Sequence, residues 1–151
     1  MIRERLSNDL KEAIKAKEPT RVSTLRLILA AVKDRDIAAR SEENADGVPD
    51  TEILAILGKM IKQRQESARI YEEGGRLDLS EQELSEIEVI RAYLPKQMTE
   101  AEVEAAVRGA IAETGAASVR DMGKVMGILK ARFAGKMDFA VAGAAVKAAF
   151  R

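Results

Sequence analysis

The stretch Tyr93-Leu94-Pro95-Lys96-Gln97-Met98-Thr99 decides how this chain is organised. Pro95 has a fixed φ and no N–H to donate, and its ring pushes Leu94 out of the α region, so a helix arriving here must stop. Thr99 with Glu102 three residues on has the reciprocal side-chain-to-backbone pattern of a capping box, which opens a new helix at once. A boundary is therefore expected, with an N-terminal helical domain at 1–95 and a small C-terminal helical domain at 96–151.

Apolar residues recur at helical spacing on both sides of the joint. Ile2, Leu6, Leu10, Ala13 and Ile14 predict a first helix, and Val22, Leu25, Ile28, Leu29 and Val32 predict a second beyond Pro19. The polar stretch from Ser41 to Asp50 contains Gly47 and Pro49 and reads as a loop open to proteases. A third helix follows on Ile53, Leu57, Met60, Ile61, Ala68 and Tyr71, with Asp50 or Thr51 as its cap and Gly74-Gly75 as its stop. Ser80 with Glu83 reads as a second capping box, starting a fourth helix that runs to Leu94.

Past the joint, Val103, Ala106, Val107, Ala110 and Ile111 share a stripe that Gly115 terminates. Ser118 with Asp121 resembles a helix start, and Met122, Val125, Met126, Leu129 and Phe133 then fall on one face up to Gly135. Asp138 is positioned to cap an Ala-rich last helix through Phe150. No stretch alternates apolar and polar residues long enough for a strand. The fold class expected is all-α, with an N-terminal four-helix unit followed by a smaller three-helix C-terminal unit.

Four segments carry a family resemblance: Thr24-Leu25-Arg26-Leu27-Ile28-Leu29-Ala30-Ala31-Val32-Lys33, Lys59-Met60-Ile61-Lys62-Gln63-Arg64, Leu94-Pro95-Lys96-Gln97-Met98 and Asp121-Met122-Gly123-Lys124-Val125-Met126-Gly127. Occurring together and in this order, they resemble the YqeY family. That family is also similar to the C-terminal tail of GatB, a subunit of the amidotransferase that converts Glu-tRNA(Gln) and Asp-tRNA(Asn) to their amidated forms. The GatB tail contacts tRNA, while the kinase and amidase chemistry lies elsewhere. What the resemblance implies is a tRNA-binding module, or an accessory subunit of a carbon-nitrogen ligase with glutamine as amido donor.

Composition bounds the chemistry. The 151 residues suffice for one ordinary domain or two small ones, and because the chain is 46% hydrophobic but only 3% aromatic its interior must be built mainly from Ala, Leu, Ile, Val and Met. The chain has no Cys and no His, so disulfides, thiolate or imidazole metal sites and Ser-His or Cys-His nucleophile systems are excluded. The Gly123-Lys124 dipeptide lacks the flanking residues of a phosphate-binding P-loop. No cofactor, no metal and no catalytic residue are expected. Glu81, Glu83, Glu86 and Glu88 read as a solvated helix face. No apolar run approaches the ~20 residues needed to cross a bilayer, and charge begins at Arg3, so a cytoplasmic protein without membrane contact is expected.

The net charge is zero but unevenly distributed. From Gly115 onward Arg120, Lys124, Lys130, Arg132, Lys136, Lys147 and Arg151 face only Asp121 and Asp138, so the end of the chain is basic. Gly123, Gly127 and Ala131, four residues apart, make a small-residue stripe opposite the apolar face of their helix, with Lys124 and Lys130 beside it. An interior Gly costs roughly 1 kcal/mol against Ala. Close approach of a phosphate backbone accounts for the two glycines, and so does close packing of the Ala-rich last helix. The candidate RNA-binding residues are Arg120, Gly123, Lys124, Gly127, Lys130, Arg132 and Lys136, addressing tRNA and not DNA.

Arg26, Lys33 and Arg40 recur every seven residues and form a basic edge along the second helix, flanking its apolar stripe, that could extend an RNA track. Their ordinary reading is stems on the core and heads in water, with the acidic surplus of this half supplying partners. Arg64 and Asp36 each fall within apolar stripes, so an interhelical Asp36-Arg64 pair is expected. A protein partner is an alternative to RNA, docked on the last helix, where Phe139, Val146 and Phe150 lie opposite Val141, Ala144, Ala145 and Ala148. With so few aromatics, any RNA contact must be to backbone and shape and not by base stacking.

Overall fold

A computed structural model describes residues 1–40 and 46–150. The described residues form seven α-helices and no strand: α1 (Ile2–Ala16), α2 (Pro19–Ala38), α3 (Asp50–Glu73), α4 (Leu77–Arg91), α5 (Glu100–Thr114), α6 (Met122–Phe133) and α7 (Phe139–Ala149). The all-α expectation therefore holds. The helices gather into two compact units, Met1–Leu94 and Pro95–Arg151. Part of the expected Ser41 to Asp50 loop, residues 41–45, lies outside the described residues.

In the first unit the most extensive packing is between α3 and α4, with α1 and α4 both packed on α2. The turn between α3 and α4 uses Gly75 at φ +76°, a left-handed conformation that costs glycine nothing. Leu6, Leu25, Ile28, Ile53, Leu57 and Ile90 are wholly buried at the centre. Each such side chain contributes roughly 1.5–3 kcal/mol by leaving water. Ile14, expected on the core face of α1, is 48% exposed instead. Thr24 is wholly buried and its hydroxyl has no hydrogen-bond partner among the described residues.

Two helix starts differ from expectation. Ser80 does not cap α4, which begins a turn earlier at Leu77; its hydroxyl is buried and donates to the carbonyl of Ala68 on α3 at 3.0 Å. Neither Asp50 nor Thr51 caps α3, because the extended residue before the helix is Pro49. The first case follows from tertiary packing and the second from Pro49, whose ring fixes φ at the cap position: the sequence pattern of a cap is present, but the chain enters the helix elsewhere.

The expected Asp36-Arg64 pair does not form. Asp36 instead accepts two bonds from the guanidinium of Arg3, at 2.6 and 2.7 Å, and one from the backbone N–H of Val48 at 2.8 Å. Arg3 also donates to the Val48 carbonyl, so α1, α2 and the segment entering α3 are tied at one point. Arg64 turns to α4 and pairs with Glu86 at 3.1 Å, both side chains being about one-seventh exposed (14% and 16%). The reason is adjacency. α2 packs only lightly on α3, whereas α3 lies along α4, so a half-buried charge on α3 finds its counter-ion there. Glu86 is therefore not part of a solvated face. Glu83 beside it is half-buried too, and burial, then the neighbouring Glu86, pushes its carboxyl above the usual carboxylate range.

The last residues of this unit are fixed by Tyr93, 5% exposed, whose hydroxyl donates to the Asp9 carboxylate of α1. Burial and the hydrogen bond to Asp9 push the phenol up to about 12. Arg5 lies over the ring, 4.9 Å from its centre.

The second unit packs α5, α6 and α7 on one another around Val107, Ala110, Val125, Leu129, Ala142 and Val146. The Thr99/Glu102 capping box is present in both directions, at 3.2 and 3.3 Å. Gly115 ends α5 at φ +67°, and Asp138 caps α7 by accepting from the Ala140 N–H at 2.9 Å. Ahead of α5, the Met98 N–H donates to the Lys136 carbonyl at 2.8 Å and the Gln97 amide to the Gly135 carbonyl at 2.6 Å. The segment leaving Pro95 is thereby held to the α6–α7 turn.

Candidate nucleic-acid interface

The approach to α6 is organised by Ser118 and Asp121. Ser118 Oγ accepts from the Arg120 N–H at 3.3 Å, starting a 3₁₀ turn over Val119–Asp121, and the Asp121 carboxylate reaches back to the Ala117 N–H at 3.0 Å. From there α6 buries Val125 and Leu129 completely, with Met122, Met126 and Phe133 half-buried around them. A rotation of 100° per residue puts Gly123, Lys124, Gly127, Lys130 and Ala131 on the far side, and all five are exposed.

The structure separates the two explanations of the glycines. A Cβ built at Gly123 or Gly127 meets nothing within 4 Å. Close packing of α6 and α7 uses the glycine of the other helix: Gly143 is buried, and a Cβ there would lie 3.3 Å from the Met122 methyl. Gly123 and Gly127 are not required by the packing of the last helix, although each lowers the intrinsic stability of a helix only 12 residues long. Spacing alone could not distinguish these cases, because a four-residue stripe looks the same whether it faces a neighbour or water.

The cations sort into two groups. Arg120, Lys124, Lys130 and Lys136 are exposed and make no ion pair among the described residues. Arg132 is turned toward α5, where its guanidinium binds the Glu113 carboxylate at 2.7 and 2.5 Å. That hydrogen bonding raises the arginine further and holds Glu113 below the usual carboxylate range. Of the seven candidate residues, Gly123, Lys124, Gly127 and Lys130 are brought onto one face. Arg120 precedes that face in the 3₁₀ turn, Lys136 follows it in the α6–α7 turn, and Arg132 is engaged elsewhere. The second unit is also less basic than its last stretch suggested. Glu100, Glu102, Glu104 and Glu113 of α5 bring its balance to nine basic against six acidic residues.

In the first unit the Arg26, Lys33, Arg40 row departs from expectation. All three are exposed, and none has an ion pair or side-chain hydrogen bond among the described residues. The acidic surplus pairs with other arginines: Arg21 with Glu18, Arg35 with Glu52, Arg69 with Glu66 and Glu73, Arg76 with Asp78 and Arg91 with Glu88. A shallow groove of about 450 Å³ lies in the second unit between the starts of α5 and α7, lined by Met98, Val103, Met137 and Val141 with Glu100 and Lys136 at its margin.

The chain matches the family described as Yqey-like protein over residues 3–150. It is 34% identical over 110 residues to the Altered inheritance of mitochondria protein 41, mitochondrial, of Lachancea thermotolerans, covering 72% of this chain and 57% of that protein. The protein of the same name from Clavispora lusitaniae is 40% identical over 91 residues, covering 59% of this chain and 49% of the relative. That from Saccharomyces cerevisiae is 28% identical over 99 residues, with 66% and 51% covered. The chain thus spans about half the length of these curated relatives. Their designation as mitochondrial overturns the cytoplasmic expectation, which rested on features with no compartment address: the physics of a Cys-free, charged helical chain is the same in any reducing aqueous compartment. No helix among the described residues is long and apolar enough to cross a membrane. With nearly the whole chain, Arg3 to Phe150, inside the match, the chain belongs to the Yqey-like protein family.

Proposed function

We propose that this chain is a non-catalytic RNA-binding module that contacts tRNA through the outer face of α6 and serves tRNA-dependent amidation as an adaptor. The observation that carries the reading is the pair of exposed glycines, Gly123 and Gly127, with open space above them and Lys124 and Lys130 alongside. A helix without side chains on its outer face lets a phosphodiester backbone approach its main chain, and the two ammonium groups supply the charge. The aromatic side chains of this unit, Phe133, Phe139 and Phe150, are half-buried against its core and offer no stacking platform, so recognition is by shape and phosphate. The link to amidation rests on the resemblance to the GatB tail. In that setting the chain supplies surface to a carbon-nitrogen ligase that uses glutamine, and the chemistry belongs to other subunits.

The test is filter binding of the purified chain to total tRNA and to an arbitrary RNA of equal length across a salt series. Steep loss of binding with salt and preference for tRNA support the reading. Equal binding to both RNAs, or none at low salt, refutes it. A protein-adaptor reading is favoured by one separate observation: Ala140, Val141, Ala144 and Ala148 form an exposed apolar face on α7, with Val141 57% exposed. Docking there would be insensitive to salt, which separates the two readings in the same experiment. We further infer that residues 1–95 and 96–151 act as separate folding domains, which limited proteolysis near Lys96 would reveal as two resistant fragments.

A further inference from the structure

The first unit contains ten arginines, and eight are engaged. Seven of these meet a carboxylate, and Arg5 lies over the Tyr93 ring. The two without any partner among the described residues are Arg26 and Arg40. Arg26 stands on the outer side of α2 with the equally unpartnered Lys33 one seven-residue step along it, and Arg40 follows two residues past the end of the helix, where its backbone N–H donates to the Ile37 carbonyl at 3.3 Å. A seven-residue step returns to nearly the same face of a helix, lagging about 20° each time, and advances about 10 Å. Arg26 and Lys33 therefore stand about 10 Å apart along one side of α2, and Arg40 follows beyond its C-terminal end. Asp36 is occupied by Arg3 and Val48, and Asp34 lies about 100° around the helix from Lys33, so no carboxylate of α2 interrupts the row. A unit with 16 basic and 19 acidic residues has enough carboxylates to neutralise this row, yet among the described residues its ion pairs form elsewhere.

We propose that the outer face of α2 bearing Arg26 and Lys33, together with Arg40 just past the end of that helix, is a second polyanion-binding surface, fitted to the phosphodiester backbone of RNA. Cations left unpaired along one side of a helix and just past its end complement a run of phosphates and, making no contact with base edges, read no sequence. An anionic membrane is the less suited partner. An interfacial helix needs a free apolar face to enter the lipid, and the apolar face of α2 is buried in the core through Leu25, Ile28 and Val32, leaving Leu27 and Ile37, ten residues apart, as its exposed large apolar side chains. The proposal takes its class of polyanion from the RNA reading above, but it uses a different unit of the protein.

Fluorescence anisotropy of the full chain with a labelled RNA duplex of arbitrary sequence, over potassium chloride from about 50 to 200 mM, tests it. Each phosphate contact contributes about 0.7–0.9 to the slope of log affinity against log salt, so three contacts account for a roughly 20- to 40-fold change across that range. Replacing Arg26, Lys33 and Arg40 together by Gln should flatten the slope by about two to three. The charge-matched control Arg69→Gln, Arg76→Gln, Arg91→Gln, which removes three exposed and paired arginines, should leave it within experimental error. Equal effects of the two triple variants overturn the proposal, since net charge alone would then account for binding. The Lys124→Gln, Lys130→Gln variant separates the two surfaces. If it alone flattens the slope, the α2 surface fails and the α6 reading stands; if only the α2 variant does, the reverse holds. Absence of wild-type binding at the lowest salt overturns both. Sedimentation with phosphatidylserine vesicles is the remaining arm: loss of vesicle binding in the α2 variant without loss of RNA binding would assign the row to lipid and refute RNA.

Discussion

Replacing Gly127 by Ala should make the protein more stable and, if the outer face of α6 meets RNA, a poorer binder. Gly127 lies in the middle of α6 and is exposed, and a Cβ at its position has nothing within 4 Å to displace. The methyl group therefore enters without strain. What remains is the intrinsic preference of a helix interior for Ala over Gly, about 0.5–1 kcal/mol, arising chiefly from the freedom Gly has in the unfolded chain. Gly123, in the first turn of α6, should give less. A gain of this size raises the thermal midpoint by about 2–8 °C if the second unit unfolds alone and about 1–4 °C if the chain unfolds as one. Urea unfolding followed by circular dichroism measures it. A loss of stability would show that something occupies the space above Gly127 and that packing explains the glycine after all. The same substitution places a methyl between the helix and any phosphate, so affinity for tRNA should fall while stability rises. Gly127→Leu extends the test, since its side chain projects into open space and should abolish RNA binding with the fold intact.

Asp36→Asn should cost about 1–2 kcal/mol at neutral pH after allowance for a site about one-quarter exposed (24%). The hydrogen bonds from Arg3, then that from Val48, lower the carboxyl to about 2 in the folded protein, against about 3.9 unfolded. A depressed folded value means the stabilisation is complete above the unfolded value and lost as pH falls through the folded one. The wild type and the variant should therefore converge in stability as pH drops from about 4 to 2, and a pH-independent difference would refute the assignment. Arg64→Met should destabilise by about 2–3 kcal/mol in thermal unfolding, since it strands Glu86 beside Glu83, and Arg64→Met with Glu86→Gln should recover part of the loss; an unchanged midpoint in the single variant would mean the pair contributes nothing. Thr24→Val, which keeps the shape and removes a buried hydroxyl lacking a partner among the described residues, should be neutral or stabilising by about 1 kcal/mol, and a clear loss would reveal a partner for that hydroxyl.

The sequence by itself determined whatever depends on residues near one another along the chain. The Thr99/Glu102 box, the Gly115 terminus and the Asp138 cap are local events, set by backbone dihedrals and by side chains reaching three residues or fewer, and they stand in the structure as read, whereas α4 stops at Arg91, short of the expected Leu94. The apolar stripes of α2, α3, α5 and α6 were legible because a 3.6-residue period marks a buried face wherever that face finally packs. Only the tertiary structure decided which helices are neighbours, and so which charges meet. Asp36 and Arg64 were both correctly suspected of needing partners, yet Arg3 lies 33 residues from the first and Glu86 22 from the second, separations about which periodicity is silent. Ser80 carried the sequence pattern of a cap and became a buried donor to Ala68 for the same reason. The candidate surfaces fall on this side of the line as well. Whether Gly127 faces a helix or water, and whether Arg26 finds a carboxylate, depends on which segments fold against α6 and α2, because a side chain's partner is chosen in space after its face has been chosen along the chain.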